Sequence, residues 1–284
     1  MAIRKVGVVS CGQMGSGITQ VCAQSGYNTV VSEINEEILN KGLASISSRL
    51  ARDVEKGRLS PPDRESVLAR IKGTTRTGDF AGCDLVIEAA TENIDLKKKI
   101  FAELDGVCSR DTILATNTSV LSIIDMAVVT SRPDKVLGLH FFNPAPVMKL
   151  VEVVRTIATS DETVEIGVAF TNSLGKRAVI APDTPGFLVN RMLTPFLLNA
   201  VRTLEAGVAT REDIDAAINL GMNLPMGPLA LLDLIGLDTV FAGACALYEE
   251  AKDPQFAPPV LIRKMVTAGW LGRKTGKGFY EYNK

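Results

Sequence analysis

The stretch KVGVVSCGQMGSGITQVCAQSGYNTVVSE, residues 5–33, decides how this chain folds. A β-branched apolar run from Lys5 to Ser10 predicts a buried strand. A glycine-rich turn then leads into a helical stretch, and Asn28 to Ser32 predicts a second strand. Glu33 follows 21 residues after Gly12, close to the offset of about 20 residues in dinucleotide-binding units. The order therefore predicts a βαβ unit that binds a dinucleotide.

The chemistry of such a unit explains its residue types. Glycine lets the backbone approach a pyrophosphate, whose charge rests on the N-terminus of the following helix. An acid at the position of Glu33 accepts both ribose hydroxyls and repels a 2′-phosphate, which favours NAD over NADP. Ser10 replaces the first glycine of the GxGxxG pattern, and serine tolerates a tight turn less readily. A glycine-rich turn in some other α/β fold is the alternative. The predicted contacts in this turn are Ser10, Gly12, Gln13, Met14 and Gly15.

Composition narrows the class of protein. A length of 284 residues predicts two domains, and 46% hydrophobic with 22% charged residues is typical of a globular chain. Lys and Arg number 31 against 32 Asp and Glu, which gives no electrostatic support for a nucleic-acid or membrane-surface partner.

The cysteines and the chain start indicate a compartment. Five scattered cysteines without a CxxC pair predict neither a disulfide framework nor a zinc site, and they favour a reducing environment. The N-terminus enters a strand pattern without a signal-peptide core, and the apolar tract Leu229 to Tyr248 is broken by Asp233 and Asp238. We expect a cytoplasmic protein that spans no membrane and binds no metal.

Strand and helix patterns alternate through the first part of the chain, which predicts a mainly parallel, doubly wound α/β sheet. Strand signals stop near Asp183, so we predict domains of residues 1–183 and 184–284, the second all helical. Thr184 and Pro185 resemble a helix N-cap and first turn. The further strands are predicted at 72–75, 84–89, 112–116, 135–139 and 177–180. The later helices are predicted at 35–57, 95–107, 120–129, 162–174, 186–206, 211–219, 227–249 and 258–268.

Polar residues follow the predicted strands where α/β sheets bind ligands. Ser119 closes the triplet Asn-Thr-Ser after one strand, although it could instead cap the helix predicted at 120–129. His140, the only histidine, ends the next strand, and Glu152 lies in a second apolar segment. Imidazole suits a general base near neutral pH, and a carboxylate on its other nitrogen would fix the tautomer. A buried structural histidine and an ordinary strand glutamate are the alternatives.

Two helical regions carry a further pattern: one has a basic face, and the other has more apolar residues than a single buried face requires. Arg49, Arg52 and Lys56 share one face of the helix at 35–57, as a solvated face or as a ledge for a phosphate-rich ligand. Apolar helices around 229–246 predict a homodimer through the second domain, though a monomeric core explains them nearly as well.

Five stretches of the chain together form a recognisable set. They are GQMGSGI from Gly12, ATNTSVLSI from Ala115, GLHFFNPAPVMKLVEVV from Gly138, DTPGFLVNR from Asp183 and PMGPLALLDLIGLD from Pro225. This set resembles the L-3-hydroxyacyl-CoA dehydrogenase family, and the length and two-domain layout resemble its stand-alone bacterial 3-hydroxybutyryl-CoA dehydrogenases. The resemblance covers the whole chain and implies a Rossmann-type NAD-binding domain followed by a helical domain. It implies reversible oxidation of (S)-3-hydroxyacyl-CoA, of short chain such as 3-hydroxybutyryl-CoA, to 3-ketoacyl-CoA.

The resemblance also implies roles for residues at matching positions. The catalytic positions are Ser119, His140, Glu152 and Asn190. The cofactor positions are Glu33, Glu92, Lys97, Ser119, Asn143 and Lys274, beside those in the glycine-rich turn. The substrate positions are Lys56 for coenzyme A, with Arg49 and Arg52 as weaker candidates, and Ser119 and Asn190 for the reacting part of the substrate. Because Asn190 lies early in the second domain, we expect the substrate to bind in an interdomain cleft.

Two other functions fit the same residues. A related NAD dehydrogenase that acts on a free hydroxy or sugar acid would not need the basic face. A non-catalytic, crystallin-like protein would bind NADH without turnover, but the set Ser119, His140, Glu152 and Asn190 argues against it.

Overall fold

The computed structural model describes residues 3–282 and divides into two compact units, Met1–Thr184 and Pro185–Lys284. The predicted boundary lies one residue earlier in the chain. The strands of the first unit are β1 (Lys5–Val9), β2 (Asn28–Ser32), β3 (Ile71–Thr74), β4 (Leu85–Glu88), β5 (Ile113–Thr116), β6 (Val136–Phe141), β7 (Leu150–Arg155) and β8 (Arg177–Pro182). Its helices are α1 (Gln13–Gln24), α2 (Glu36–Glu55), α3 (Pro61–Ala69), α4 (Ile94–Val107), α5 (Ile124–Ala127) and α6 (Asp161–Ser173).

The strands form one eight-stranded sheet in the order β3-β2-β1-β4-β5-β6-β7-β8. Every neighbouring pair is parallel except β6 and β7, which run antiparallel. The predicted mainly parallel, doubly wound sheet is confirmed. Since the order runs outward in both directions from β1 and β4, the carboxyl ends of these two strands form the switch point where such folds bind ligands.

Helices cover both faces of the sheet, and its central strands are apolar on both sides. Val8 in β1, Ile87 in β4 and Leu139 in β6 are fully buried in one core. Ile18 of α1 and Ile46 of α2 join that core. The continuous apolar runs in the sequence are therefore explained by burial on two faces.

The helix predicted at 120–129 is wrong over most of its length, because α5 comprises only Ile124–Ala127. The preceding backbone instead turns around Thr118, whose Oγ1 accepts from the amide of Leu121 at 3.0 Å. Asp183 accepts from the amides of Ile123 and Ile124 at 2.9 and 2.8 Å. The carboxylate that accepts from the first amides of this helix lies 60 residues away in the chain. A local sequence pattern therefore cannot predict where the helix begins.

The second unit is helical over its described residues up to 282, apart from short bridges in its C-terminal segment. Its core includes Leu198, Leu232, Leu237, Ala244 and Ile262. No single helix among residues 3–282 is long and apolar enough to cross a membrane. The third and fourth helices of this unit would together be long and apolar enough, but a 97° bend separates them. The helices are α7 (Val189–Glu205), α8 (Arg211–Gly221), α9 (Pro228–Ile235), α10 (Leu237–Ala251) and α11 (Val260–Thr267).

Two helix predictions in this unit are wrong in detail. The helix predicted at 227–249 breaks at Gly236, whose φ of 104° ends α9 before α10 begins. Helix α7 begins at Val189 after Leu188, so Thr184 is not its N-cap. Gly186 and Phe187 have φ angles of 76° and 48°, which keeps this segment out of the helix.

Candidate active site

The glycine-rich turn after β1 brings the backbone unusually close to itself. A side chain at Gly15 would place a Cβ 1.9 Å from the carbonyl oxygen of Ser10, so only glycine fits there. Helix α1 starts at Gln13, and its N-cap residue Gly12 supplies no side-chain hydrogen bond. The first amides of a helix have no partner within the helix and carry its positive end. This turn can therefore receive an anion such as a pyrophosphate.

Ser10 and Glu33 are hydrogen-bonded to each other beside this turn. The Ser10 hydroxyl donates to Glu33 Oε1 at 2.9 Å, and the amide of Cys11 donates to the same oxygen at 2.7 Å. Glu33 Oε2 accepts from the amide of Ile34 at 3.1 Å. The carboxylate therefore lies at the end of β2 against the turn, and the serine that replaces glycine holds one of its oxygens.

His140 and Glu152 form the buried pair predicted from the sequence. They are directly opposite each other in the antiparallel β6–β7 register, so both side chains are on one face of the sheet. His140 Nδ1 lies 2.6 Å from Glu152 Oε2, with His140 4% and Glu152 0% exposed. A carboxylate on Nδ1 favours the tautomer with its proton on that nitrogen.

The end of β6 is held on two further sides. The amide of Phe141 donates to Asn117 Oδ1 at 2.8 Å, which ties this strand to the residue after β5. The ring of Phe142 packs on the imidazole of His140, with ring centroids 4.5 Å apart. These contacts restrict the orientation of His140.

Ser119 follows β5 in a loop that Glu92 holds. The amide of Ser119 donates to Glu92 Oε1 at 2.6 Å, and the Thr118 hydroxyl donates to Glu92 Oε2 at 2.9 Å. Since α5 begins only at Ile124, Ser119 is not a helix cap. The structure brings together Ser119 and Glu92, which the resemblance places near the cofactor.

Lys97 lies in the interior beneath this loop. Its ammonium is 2.7 and 2.8 Å from the two carboxylate oxygens of Glu88, with side chains 1% and 0% exposed. It also donates to the carbonyl of Ala90 at 3.1 Å. Glu88 accepts from the Thr116 hydroxyl at 2.7 Å as well. A buried charge pair with additional hydrogen bonds fixes the ends of β4 and β5.

Asn143 reaches the glycine-rich turn from the loop between β6 and β7. Gln13 Nε2 donates to its Oδ1 at 3.3 Å. A Cβ at Gly17 would lie 3.2 Å from Ala145, so this loop packs closely on α1. Two residues predicted as cofactor contacts, 130 positions apart, are therefore neighbours.

The basic face of α2 divides into two parts. Arg49 is half-buried and donates to Gln20 Oε1 of α1 at 2.7 Å and to the Ser16 hydroxyl at 3.2 Å. Arg52 and Lys56 are exposed, and Lys56 is the C-cap residue of α2. Arg49 thus ties α2 to α1, while the next two cations face solvent.

Two predicted site residues belong to the second unit. Asn190 is in the first turn of α7 and is partly buried. The Lys274 ammonium is 2.5 and 2.7 Å from the two carboxylate oxygens of Asp238, near the start of α10.

Cysteine and metal chemistry find no support among residues 3–282. No group of three or more His, Cys, Asp or Glu is arranged to hold a metal ion there. Burial, followed by the charge of Glu33, raises the pKa of Cys11 to about 11, and burial raises that of Cys22 to about 12. These thiols stay protonated at neutral pH and are poor nucleophiles.

Comparison with known proteins decides between the possible families. The NAD binding domain of 3-hydroxyacyl-CoA dehydrogenase matches residues 5–184, and the C-terminal domain of the same enzyme matches residues 186–282. The chain belongs to the 3-hydroxyacyl-CoA dehydrogenase family. The resemblance predicted from five sequence stretches is confirmed, and the chain is an oxidoreductase whose cofactor is NAD.

Relatives within this family match over nearly the full length. A 3-hydroxybutyryl-CoA dehydrogenase of Bradyrhizobium diazoefficiens is 45% identical over 280 residues, 99% of this chain and 96% of that protein. One of Mycobacterium tuberculosis is 46% identical over 283 residues, 99% of each chain. The crystal structure of the (S)-3-hydroxybutyryl-CoA dehydrogenase PaaH1 from Ralstonia eutropha has a TM-score of 0.97 and 49% identity and covers 100% of both chains.

The first unit fits the cofactor of the family on its own geometry. Gly15 leaves no room for a Cβ, α1 has no side-chain cap, and Glu33 lies beside both. A nucleotide phosphate and a ribose hydroxyl pair match these groups in charge and hydrogen-bonding type.

Several supporting residues could not be assigned from sequence. Glu88 is visible as an acid at the end of an apolar strand, but its partner Lys97 is not. Thr118 and Asp183 shape the Ser119 loop through the amides of Leu121, Ile123 and Ile124. The contacts of Asp183 join segments about 60 residues apart, so no spacing pattern indicates them, whereas the Thr118 contact is local.

Proposed function

We propose that this enzyme reversibly oxidises (S)-3-hydroxyacyl-CoA, with 3-hydroxybutyryl-CoA as the preferred short-chain substrate, to 3-ketoacyl-CoA. The observation that carries the proposal is the buried His140–Glu152 pair, 2.6 Å apart at the end of β6. The names of the relatives from Bradyrhizobium diazoefficiens and Ralstonia eutropha support the substrate class.

His140 acts as the general base. Its Nδ1 is hydrogen-bonded to Glu152, so Nε2 takes the proton from the C3 hydroxyl of the substrate. The hydrogen on C3 leaves with its electron pair, and NAD, when bound, accepts it as hydride. Glu152 stabilises the imidazolium that forms, and the reverse reaction returns the same proton to the C3 oxygen.

Ser119 and Asn190 contact the substrate in this proposal. The Ser119 hydroxyl hydrogen-bonds the C3 oxygen, and Asn190 donates to the developing alkoxide or the thioester carbonyl. The loop of Ser119 is held by Glu92, which supports a fixed donor position.

The cofactor contacts follow the glycine-rich turn and its neighbours. Glu33 takes the adenosine ribose, and Asn143 with Glu92 borders the nicotinamide half. Lys97 contributes through the Glu88 pair beneath Glu92. Lys274 keeps its proposed cofactor role, with its ammonium on Asp238 in this structure. The remaining contacts are Ser10, Gly12, Gln13, Met14 and Gly15.

Coenzyme A binds at the exposed end of the basic face of α2. Arg52 and Lys56 are exposed cations suited to its phosphates, whereas Arg49 is bonded to Ser16 and Gln20. These cations favour an acyl-CoA substrate over a free hydroxy acid.

The substrate class is tested by NADH oxidation with acetoacetyl-CoA and, separately, with free acetoacetate at the same concentrations. We expect turnover with acetoacetyl-CoA and a kcat/KM lower by at least about 100-fold for acetoacetate, because the phosphate contacts are lost. Equal values would contradict the acyl-CoA proposal.

The catalytic pair is tested by His140→Gln and Glu152→Gln. We expect His140→Gln to lower kcat by about 10³-fold and Glu152→Gln to lower it substantially, since base and orienting acid are removed in turn. The Kd for NADH, measured by its fluorescence, stays near the wild-type value. Wild-type turnover in His140→Gln would exclude His140 as the base.

We also propose a cytoplasmic homodimer formed through the second unit. Its described residues expose Met192, Leu220 and Val260 to 70%, 80% and 53%, which supports a protein partner for that unit. The five cysteines are free thiols, as expected in a reducing compartment. The absence of nucleic-acid and membrane partners stays a prediction. The mass of the protein in solution tests the dimer.

A further inference from the structure

Lys176 is a buried lysine just before β8 whose role the reaction does not explain. Only 9% of it is exposed. Its ammonium donates to the carbonyl of Ala145 at 2.7 Å and to the carbonyl of Met148 at 2.6 Å. Both acceptors belong to the loop between β6 and β7, which joins His140 to Glu152.

The contacts of this ammonium differ from those of an ordinary ion pair. Its ammonium donates to two main-chain carbonyls, those of Ala145 and Met148. Burial lowers the pKa of Lys176. A side chain without donors at this position would leave the buried carbonyl of Ala145 and the partly buried carbonyl of Met148 without this partner, which is unfavourable. The hydrogen bonds of Lys176 therefore stabilise the loop between β6 and β7.

The same loop is held at its other side by the glycine-rich turn. Gln13 Nε2 donates to Asn143 Oδ1 at 3.3 Å, and a Cβ at Gly17 would lie 3.2 Å from Ala145. Inside the loop, the carbonyl of Pro144 accepts from the amides at 147 and 148 at 2.9 and 3.0 Å. The segment is a compact hydrogen-bonded turn in which Ala145 lies two residues after Asn143, so hydrogen bonds that fix Ala145 also restrict the position of Asn143.

We propose that Lys176 is a positioning residue for NAD binding, which holds the Asn143 loop against the glycine-rich turn through the carbonyls of Ala145 and Met148. It does not touch the cofactor and acts through Asn143. The inference rests on the proposed role of Asn143 as a cofactor contact. Preorganised contacts bind more tightly because their ordering is complete before the ligand arrives.

The test is a double-mutant cycle on NADH affinity. Lys176→Met removes the ammonium and keeps the apolar stem, and Asn143→Ala removes the cofactor contact. We expect each substitution to raise the Kd for NADH by about tenfold, equal to about 1.4 kcal/mol. The double variant should rise little further, because Lys176 acts through Asn143. The proposal would be overturned if the two substitutions raised the Kd by factors that multiply in the double variant, or if Lys176→Met left the Kd unchanged.

Two controls separate positioning from general damage. Lys135→Met removes a lysine of the same unit that pairs with Asp111 at 2.8 Å just before β6, and its Kd for NADH should stay at the wild-type value. If Lys176→Met does not fold, the same cycle is run with Lys176→Arg, which keeps the charge but changes the donor geometry. The proposal is supported if the double variant has the same Kd for NADH as Asn143→Ala alone. It is rejected if the two substitutions raise the Kd by factors that multiply.

The readout also distinguishes this inference from the proposed function. The Kd for NADH is measured by fluorescence without any acyl-CoA, so failure of the substrate proposal does not affect the cycle. A wild-type Kd in Asn143→Ala would reject the cofactor role of Asn143. Independent effects of the two substitutions would reject only the role of Lys176.

Discussion

Ser10 adopts a φ of 80°, in the left-handed region that glycine occupies without strain. Its hydroxyl donates to Glu33 Oε1 at 2.9 Å. A hydrogen bond to a charged acceptor is stronger than a neutral one, so it offsets part of the backbone strain. The residue that weakens the glycine pattern in the sequence is therefore the one that orients Glu33, the acid proposed to bind the ribose.

The two effects at Ser10 can be separated with a pair of variants. Ser10→Ala loses the hydrogen bond and keeps the strain, whereas Ser10→Gly loses the bond and relieves the strain. We expect Ser10→Gly to be more stable than Ser10→Ala by about 1 kcal/mol in urea unfolding. Both variants should bind NADH more weakly than wild type by a similar factor, because Glu33 loses the same partner. Equal stabilities would show that the backbone at Ser10 carries no strain.

Individual residues were predictable where strand periodicity fixed them. His140 was placed at the end of a predicted strand and Glu152 in a second apolar segment, and their chemistry suggested the pair. The antiparallel register that makes them opposite is seen only in the structure. The contacts of Lys97 and Arg49 could not be predicted from the sequence. Lys97 is buried against Glu88, and Arg49 reaches across to α1. Both depend on which helix packs beside which, and spacing along the chain does not contain that.

Helix α4 is fastened to the segment before β6 by a buried arginine. Arg132 donates to the carbonyls of Asp105 and Cys108 at 2.9 and 3.1 Å, at the end where helix carbonyls lack partners. It also donates to the Asp105 carboxylate at 2.7 Å. Burial raises the pKa of that carboxyl, but hydrogen bonds from Ser131 and Arg132 outweigh it, and the net pKa lies below the ordinary value.

This pair predicts how stability depends on pH. Because the folded pKa of Asp105 is lowered, its contribution is present above the ordinary Asp pKa of about 3.9 and is lost as pH falls through the folded value. We expect Asp105→Asn to reduce the free energy of unfolding by about 2 kcal/mol at pH 7. The difference from wild type should shrink toward pH 3 in urea titrations. A difference that stays constant with pH would contradict this assignment.

Elements were predicted well where their apolar pattern was strong. The strands around Val8, Ile87 and Leu139 lie where apolar runs in the sequence predicted them. The failures came where a distant group sets a boundary, as Asp183 does for α5. At Gly236 the apolar pattern continues through the break, so the sequence pattern did not indicate the 97° bend between α9 and α10.

The whole molecule carries a formal net charge of −1. A chain so nearly neutral offers no overall field to attract coenzyme A, so attraction must come from local cations. We expect Lys56→Glu to raise the KM for acetoacetyl-CoA several-fold with little change in kcat. The effect should weaken at 1 M salt, where the screening length falls to about 3 Å.

The matched control is Lys264→Glu, which changes the net charge equally at an exposed position on α11. Its KM should remain at the wild-type value at every salt concentration. An equal rise of KM in both variants would mean that net charge, and not the end of α2, controls substrate binding.

The reversal of β7 changes the polarity of one margin of the sheet. In β1 to β6 that margin carries the carboxyl ends of strands, but β7 and β8 present their amino ends to it. Glu152 and Lys176 lie near those amino ends, one inside β7 and one just before β8. A single inversion of strand direction thus supplies an acid for the imidazole and a cation for the adjoining loop. A wholly parallel sheet would place both strand beginnings at the opposite margin.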